Sequence, residues 1–388
     1  MSDSKNFIIK KYLSLFIEDD STIKSYFTSS DLDFIYQNLN HTNEKITEFD
    51  NHEKGYRKSS NKKYQTPFLD EFVLDKIDRT KRIKIWPNNA TFAVHLTHDF
   101  DRFTLYSPKT QIRRELKKLI LKDWRTKLIS FFRIVKDFFK NIFYNKIDPL
   151  WHYEDWFKLE EKYAAKSTCF FFMHPKLLNC SIEDCDYKLG DSIIFNNEKI
   201  TIRECIKQIH KIGNEIGIHG SFKTYRSAEL LKTQKNQIET IINTKVKYSR
   251  QHYLHFKWSD TIDVHIENEL NTDSTLGFHS GIGFRAGTSF PYLIKGKGNK
   301  FILEIPLIIM DTSLRVYCKN DFNKMYDSSI EIINKIEKVG GCLTLNFHPC
   351  YINTSMFELY EKILTYLSRK NCVFLNSKEI RDIYFNHK

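Results

Sequence analysis

The feature that most constrains this 388-residue chain is a regular switching between two hydrophobic periods. Short runs rich in apolar, β-branched and aromatic residues recur at 92–97, 167–172, 215–219, 248–253, 274–278, 301–309, 342–347 and 372–376. Between most of them lie stretches with apolar residues at helical spacing, at 151–165, 202–212, 228–244, 322–339 and 357–369. Side chains alternate across a strand and repeat every ~3.6 residues around a helix, so each change of period marks a change of element. Repeated βα units join parallel strands through helical crossovers. About seven or eight such units between residues 89 and 388 predict a (β/α)7-8 barrel rather than an open sheet, because such barrels typically take ~250 residues.

Two segments fall outside the alternation. Residues 1–88 form a polar N-terminal extension whose His/Asn/Lys/Ser-rich patch at 41–63 reads as a loop or disordered link, with short helices on either side. Residues 108–147 read as a basic, aromatic helical insertion inside the barrel domain 89–388. The net charge of +12 is local, since 109–146 carries twelve Lys/Arg against three Asp/Glu. The rest of the chain is close to neutral, which argues against a general nucleic-acid surface. Eight scattered cysteines form no Cys-x-x-Cys pair, so a zinc finger or thioredoxin-like motif is not expected. Scattered, core-like cysteines suit a reducing compartment. No export signal and no apolar run of membrane-spanning length is visible, and a cytoplasmic location is expected.

In (β/α) barrels the chemistry sits at the C-terminal strand ends. The first run ends in Thr97-His98-Asp99-Phe100-Asp101, which puts two carboxylates on one side of a strand end. The third ends at His219, the fourth runs into Arg250-Gln251-His252-Tyr253, and the seventh ends in Asn346-Phe347-His348. Two acids, an Arg and several His at strand mouths suit a metal-assisted hydrolase. Asp101 and His219 are suitable oxygen and nitrogen ligands for a divalent ion such as Zn²⁺. Asp99 can take a proton from water, and Arg250 can hold Asp99 ionised. A backbone N–H near Tyr253 can meet an oxyanion, and His348 can give a proton to the leaving group.

Taken in order, these motifs resemble those of the polysaccharide deacetylase family, the family 4 carbohydrate esterases. The matching runs are 97–101, 219–223, 250–253 and the segment ending at His348. The chain is more similar to a subgroup with a Thr-His-Asp-x-Asp first motif, which also carries runs like Trp86-Pro87, Asp273-Ser274-Thr275-Leu276-Gly277, Gly283-Phe284-Arg285-Ala286-Gly287-Thr288 and Glu304-Ile305-Pro306. The resemblance spans about residues 86–380. It implies a barrel hydrolase that removes an N- or O-acyl group, most often acetyl, from a sugar, with Arg285 joining Tyr253 at the substrate. A biosynthetic intermediate of a surface polysaccharide is the expected substrate. Deformylation or another C–N hydrolysis on a lipid-linked sugar is the alternative, and a non-catalytic sugar-binding protein on the same scaffold is the other.

The sequence departs from that pattern at Lys223, where the family has a second His as third metal ligand. A protonated lysine cannot ligate. His252 is the first candidate to replace it and His98 the second, although His98 should point away from Asp99 and Asp101. Asn346 stands where Leu is usual. The family's Asp-x-x-Asp-Trp motif is not found, which leaves Asp273 or Asp311 to orient Arg250 or His348. In the insertion, Trp124, Phe131, Phe132, Phe138 and Phe139 lie on a greasy helical face opposite a cationic one. That pattern suits either a helix on an anionic membrane surface or one packed on the barrel.

Overall fold

The computed structural model describes residues 3–18, 23, 25–42, 62–105, 148–174, 181, 183–258 and 260–387. The insertion at 108–147, with its membrane-facing reading, lies outside the described residues. So does most of the polar patch at 41–63.

Twelve strands occur among the described residues: β1 (Phe92–Phe100), β2 (Thr168–Phe172), β3 (Ser192–Phe195), β4 (Glu198–Thr201), β5 (Glu215–Gly220), β6 (Tyr248–Gln251), β7 (Thr272–Asp273), β8 (Tyr292–Lys295), β9 (Phe301–Glu304), β10 (Ile309–Met310), β11 (Cys342–Asn346) and β12 (Cys372–Phe374). The main helices are α1 (Asp3–Leu13), α2 (Ser29–Leu39), α3 (Phe68–Lys76), α4 (Glu154–Glu161), α5 (Ile202–Lys211), α6 (Ala228–Ile242), α7 (Thr261–Glu267), α8 (Asp311–Tyr317), α9 (Phe322–Val339), α10 (Ser355–Leu367) and α11 (Ser377–Asn386). One sheet runs β10-β11-β1-β2-β5-β6-β7-β9-β8, with β12 also paired to β1. Every pair in it is parallel except β8–β9. The sheet curls into an incomplete barrel whose path ends at β10 and β8.

β1 pairs with three strands, β11, β12 and β2, and all nine of its residues are buried. β11 lies along one side, from Ala93 to Thr97. The other side is shared: β12 covers Phe92 to Val94 and β2 covers Thr97 to Phe100. This stagger lets β1 reach past its neighbours, so that Asp99 pairs with Phe170 near the open mouth.

The crossover helices follow from their apolar stripes and caps. In α5, Ile202, Cys205, Ile206 and Ile209 are buried at helical spacing, and the Thr201 side chain caps the Glu204 amide. In α9, Met325, Ile332, Ile333, Ile336 and Val339 face the sheet, and Gly340 ends the helix in a left-handed conformation. Each such isoleucine contributes about 1.5–3 kcal/mol by leaving water. They join one apolar cluster between the sheet and its outer helices.

Three elements differ from the sequence expectation. The run at 301–309 splits into β9 and β10, because Pro306 lies between them and cannot donate to a ladder. The run at 274–278 is strand only up to Asp273; beyond it the backbone serves Arg250 and Glu304 instead. β8 was not foreseen, and it closes the sheet edge as an antiparallel hairpin with β9.

The N-terminal segment packs onto this edge. Phe284 donates its N–H to Tyr64 O at 2.9 Å, Gln65 Nε2 donates to Ile282 O at 3.0 Å, and Leu69 N donates to Gly287 O at 2.8 Å. Gly283 has φ +123°, and a Cβ there would collide with the Tyr64 carbonyl oxygen. Tyr12 Oη donates to Asp70 Oδ1 at 2.6 Å, while Ser289 N and Oγ both donate to Asp70 Oδ2 at 2.8 Å. α1, α3 and the 283–290 loop are thereby fastened through one buried carboxyl. A second apolar cluster joins α1, α2 and α3 to β8 and β9. Among the described residues, no helix is long and apolar enough to cross a membrane.

Candidate active site

A cavity of about 240 Å³ opens at the C-terminal end of the sheet. β1 sends Asp99 and Asp101 into it, β5 sends His219, the turn after β6 sends His252, Tyr253 and Leu254, and the turn after β11 sends His348. Gln251, His279, Met310 and Thr312 complete the lining.

Three donor atoms converge on one point. His219 Nε2 lies 3.0 Å from His252 Nδ1, and the two nitrogens lie 3.3 and 3.5 Å from Asp101 Oδ1. The opposite nitrogen of each ring faces a carbonyl oxygen: His219 Nδ1 to Arg250 O at 2.9 Å, and His252 Nε2 to Glu183 O at 2.8 Å. A carbonyl only accepts, so those nitrogens carry ring protons, and in neutral imidazoles the converging ones are bare. Two imidazole lone pairs and a carboxylate then face each other with no proton between them, an arrangement that a cation relieves. Ligands on one tetrahedral zinc ion stand about 3.3–3.6 Å apart, given metal–ligand distances of about 2.0–2.2 Å. Asp101, His219 and His252 therefore fit a divalent metal ion in chemistry and in spacing. The carbonyl partners also fix both rings, as outer partners of metal-binding histidines do.

Burial alone would raise the Asp101 carboxyl, but His252, His219 and His348 hold it well below the usual carboxylate range. Burial lowers His252, against the pull of Asp101.

Asp99 sits beside the triad in a tight clamp. Arg250 Nη1 donates to Oδ1 at 3.1 Å, and Asn346 Nδ2 donates to Oδ2 at 2.8 Å. Arg250 is fully buried, with Nε on Ser274 O, Nη2 on Ser274 Oγ and Nη1 also on Thr97 Oγ1, and its guanidinium lies over the Phe170 ring. Burial would raise Asp99, yet the Arg250 charge, with His219 and His348, keeps it below the ordinary value. The orientation of Arg250 falls to Ser274. Asp273 instead bonds Ser249 and Thr275.

His348 faces the triad from the other wall, with Nε2 3.5 Å from Asp101 Oδ2. Asp311 grips it twice, accepting from its backbone N and pairing with Nδ1, both at 2.7 Å. Burial would lower this imidazole, but Asp311, then Asp101 and Asp99, raise it to about 10.

The remaining sequence candidates divide. Tyr253 lines the cavity with its ring 38% exposed, and it and Leu254 have left-handed backbones with φ of 60° and 52°. These two turns swing the chain back after β6 and bring His252 onto Asp101. Arg285 is buried beneath the N-terminal segment and donates to Gly277 O at 3.3 Å, away from the cavity lining. Lys223 is exposed and does not line the cavity. His98 lies on the opposite face of β1 beside Glu160. The Glu183 carbonyl, His279 and Met310 carry no signal in the motifs; Ser274 lies in a quoted run with no role assigned, and the alternating pattern of β11 places Asn346 on the same face as His348.

No family model matches the chain. A search of curated proteins likewise returns no match. Among solved structures, the chain is similar to a presumed polysaccharide deacetylase from Mycobacterium smegmatis, at 14% identity over 78% of this chain and 93% of that one, with a TM-score of 0.49. It is similar to the allantoinase Puue at 10% identity, over 78% and 94%, with a TM-score of 0.49. It is also similar to a peptidoglycan deacetylase from Bacillus subtilis at 11% identity, over 77% and 93%, with a TM-score of 0.36.

Proposed function

We propose that this chain is a metal-dependent hydrolase that removes an N- or O-acyl group, with acetyl the leading candidate, from a sugar used in surface-polysaccharide synthesis. The observation that carries the reading is the convergence of Asp101, His219 and His252 between a clamped carboxylate on one wall and an Asp-supported histidine on the other. The ordered motifs quoted above support the same family. A divalent ion held by the three side chains, Zn²⁺ by the nature of the donors, supplies Lewis acidity toward a carbonyl oxygen and lowers the pKa of water.

The chain's own groups do the rest. Asp99 accepts a proton from the attacking water at its carboxylate, and Arg250 and Asn346 keep that carboxylate ionised and aimed. The backbone N–H of Tyr253 donates to the oxyanion that forms on the acyl oxygen. His348 Nε2 gives a proton to the departing sugar nitrogen or oxygen, and Asp311 holds the ring in the tautomer that allows it. Leu254 and Met310 form an apolar wall suited to a short acyl group. The sugar, soluble or lipid-linked, is part of the same proposal.

The test is metal analysis joined to acetate release from a panel of N- and O-acetylated sugar nucleotides. About one bound ion per chain, with release that stops on chelation and returns with Zn²⁺, supports the reading. A metal-free chain that binds these sugars without turnover replaces it with the sugar-binding alternative.

A further inference from the structure

His98 belongs to the first motif yet has no part in the chemistry above. It is fully buried behind the site, and both of its ring nitrogens are engaged. Nδ1 lies 2.6 Å from Phe347 O, and Nε2 lies 2.6 Å from Glu160 Oε1. Since the carbonyl can only accept, Nδ1 carries a proton, and a second proton is shared between Nε2 and the carboxyl. Tyr360 Oη donates to the same Glu160 oxygen at 2.8 Å. One helical turn before Glu160, Trp156 packs its ring edge-on against His98 and donates Nε1 to Pro349 O at 3.3 Å.

Phe347 and Pro349 flank His348. The carbonyls on both sides of it are therefore held from behind, by His98 of β1 and Trp156 of α4, while Asp311 holds its N–H and Nδ1 from the front. Only His348 Nε2 faces the cavity. Displacing a reacting group by about 1 Å can cost about 10²-fold in rate, so a histidine on a turn needs such support.

We propose that His98, backed by Glu160 and accompanied by Trp156, is a positioning group for His348. It fixes the backbone so that Nε2 stays aimed at the leaving atom. The strand explains the motif: Thr97 and Asp99 belong to the Arg250 network, while His98 between them faces outward and ties β1 to the end of β11. This rests on the hydrolase reading, in which His348 protonates the leaving group.

A loss of fold and a loss of positioning separate by leaving group. An amide of an amino sugar needs a proton on its departing nitrogen; 4-nitrophenyl acetate expels a stable phenolate that does not. The zinc-loaded full chain is compared with His98→Phe/Glu160→Gln, and with Trp156→Phe, which removes the N–H to Pro349 and part of the indole packing but leaves the His98–Glu160 pair in place. Expected are a fall in kcat of about tenfold or more on an N-acetylated amino sugar with KM within about twofold, and aryl-ester turnover within about threefold. Trp156→Phe should show the same pattern more weakly, and it decides the matter if the double variant does not fold. The Nδ1–H proton resonance of His348, assigned by its loss in His348→Ala, should shift or broaden in both variants. Equal loss on both substrates, or an unmoved resonance with unchanged amide turnover, overturns the proposal. A parent chain inactive on both substrates whose His348 resonance still responds removes the hydrolase reading and leaves the positioning role standing.

Discussion

His252 Nδ1 stands 3.0 Å from His219 Nε2, and in neutral rings neither nitrogen has a proton to offer the other. Each ring spends its proton on a carbonyl, at Glu183 and Arg250. A metal ion at the point where they meet Asp101 would satisfy both lone pairs. His252→Ala should therefore lower Zn²⁺ affinity by more than the about 10–100-fold typical of losing an outer partner. Lys223→Ala should leave it unchanged. Metal content after equilibrium dialysis decides, and a His252→Ala chain that keeps its zinc would return the third ligand to an unknown position.

The two motif carboxylates should fail in different ways. Asp101→Asn removes a charged ligand and should deplete metal. Asp99→Asn should retain metal and lose about 10²–10⁴-fold in turnover, the usual contribution of a general base. Parallel metal analysis and acetate release test both, and activity surviving in the two variants would move the site elsewhere.

Asn346 replaces an apolar residue with a donor, and Asp99 Oδ2 depends on it. Asn346→Leu keeps the branched shape, with a larger volume, but leaves a buried carboxylate oxygen without its amide. A loss of about 1–3 kcal/mol in unfolding free energy is expected from that desolvated acceptor. Urea denaturation with an unchanged slope would measure it; no loss would mean that Arg250 alone satisfies Asp99.

Asp70 ties the N-terminal helices to the 283–290 loop from a fully buried position. Burial raises its carboxyl from 3.8 to about 6, against the hydrogen bonds from Ser289, Thr288 and Tyr12 that lower it. The folded chain thus keeps a proton that the unfolded chain releases. That contribution is complete below about pH 4 and is lost as pH rises through about 6. Asp70→Asn can accept from Ser289 through its oxygen and donate to Tyr12 Oη through its amide, reversing the native Tyr12 bond. It should be the more stable chain at pH 8, by up to about 3 kcal/mol, with the advantage shrinking toward pH 5. Unfolding curves at the two pH values check the sign.

Much of the barrel was legible because it is written in side-chain period. Seven of the eight runs read as strands fall on strands of the curled sheet, the run at 274–278 lying just past β7, and the five crossover helices follow their apolar stripes. What escaped has little periodic signal: the short β8, the β3–β4 hairpin, and the one- to two-turn helices α7 and α8. The site was legible where a residue type declares its chemistry at a strand end, as at Asp99, Asp101, His219, Arg250 and His348. Partners that act through the backbone were not legible, because the Glu183 and Ser274 carbonyls leave no mark in a residue's identity. Arg285 shows the converse limit. The resemblance implies a place at the substrate for it, while Gly283 in the same run makes room for the Tyr64 carbonyl.

Four consecutive residues, Arg250 to Tyr253, carry connections that other folds spread over several loops. The carbonyl of Arg250 orients His219, its guanidinium grips Asp99, Gln251 is pinned to Thr275, and His252 completes the triad. A one-residue slip in the register of β6 would displace the Asp99 clamp and the proposed metal ligand His252 together. Transplanting this chemistry to another barrel means moving those four residues with the β7 segment that pins them, rather than a set of separate ligands.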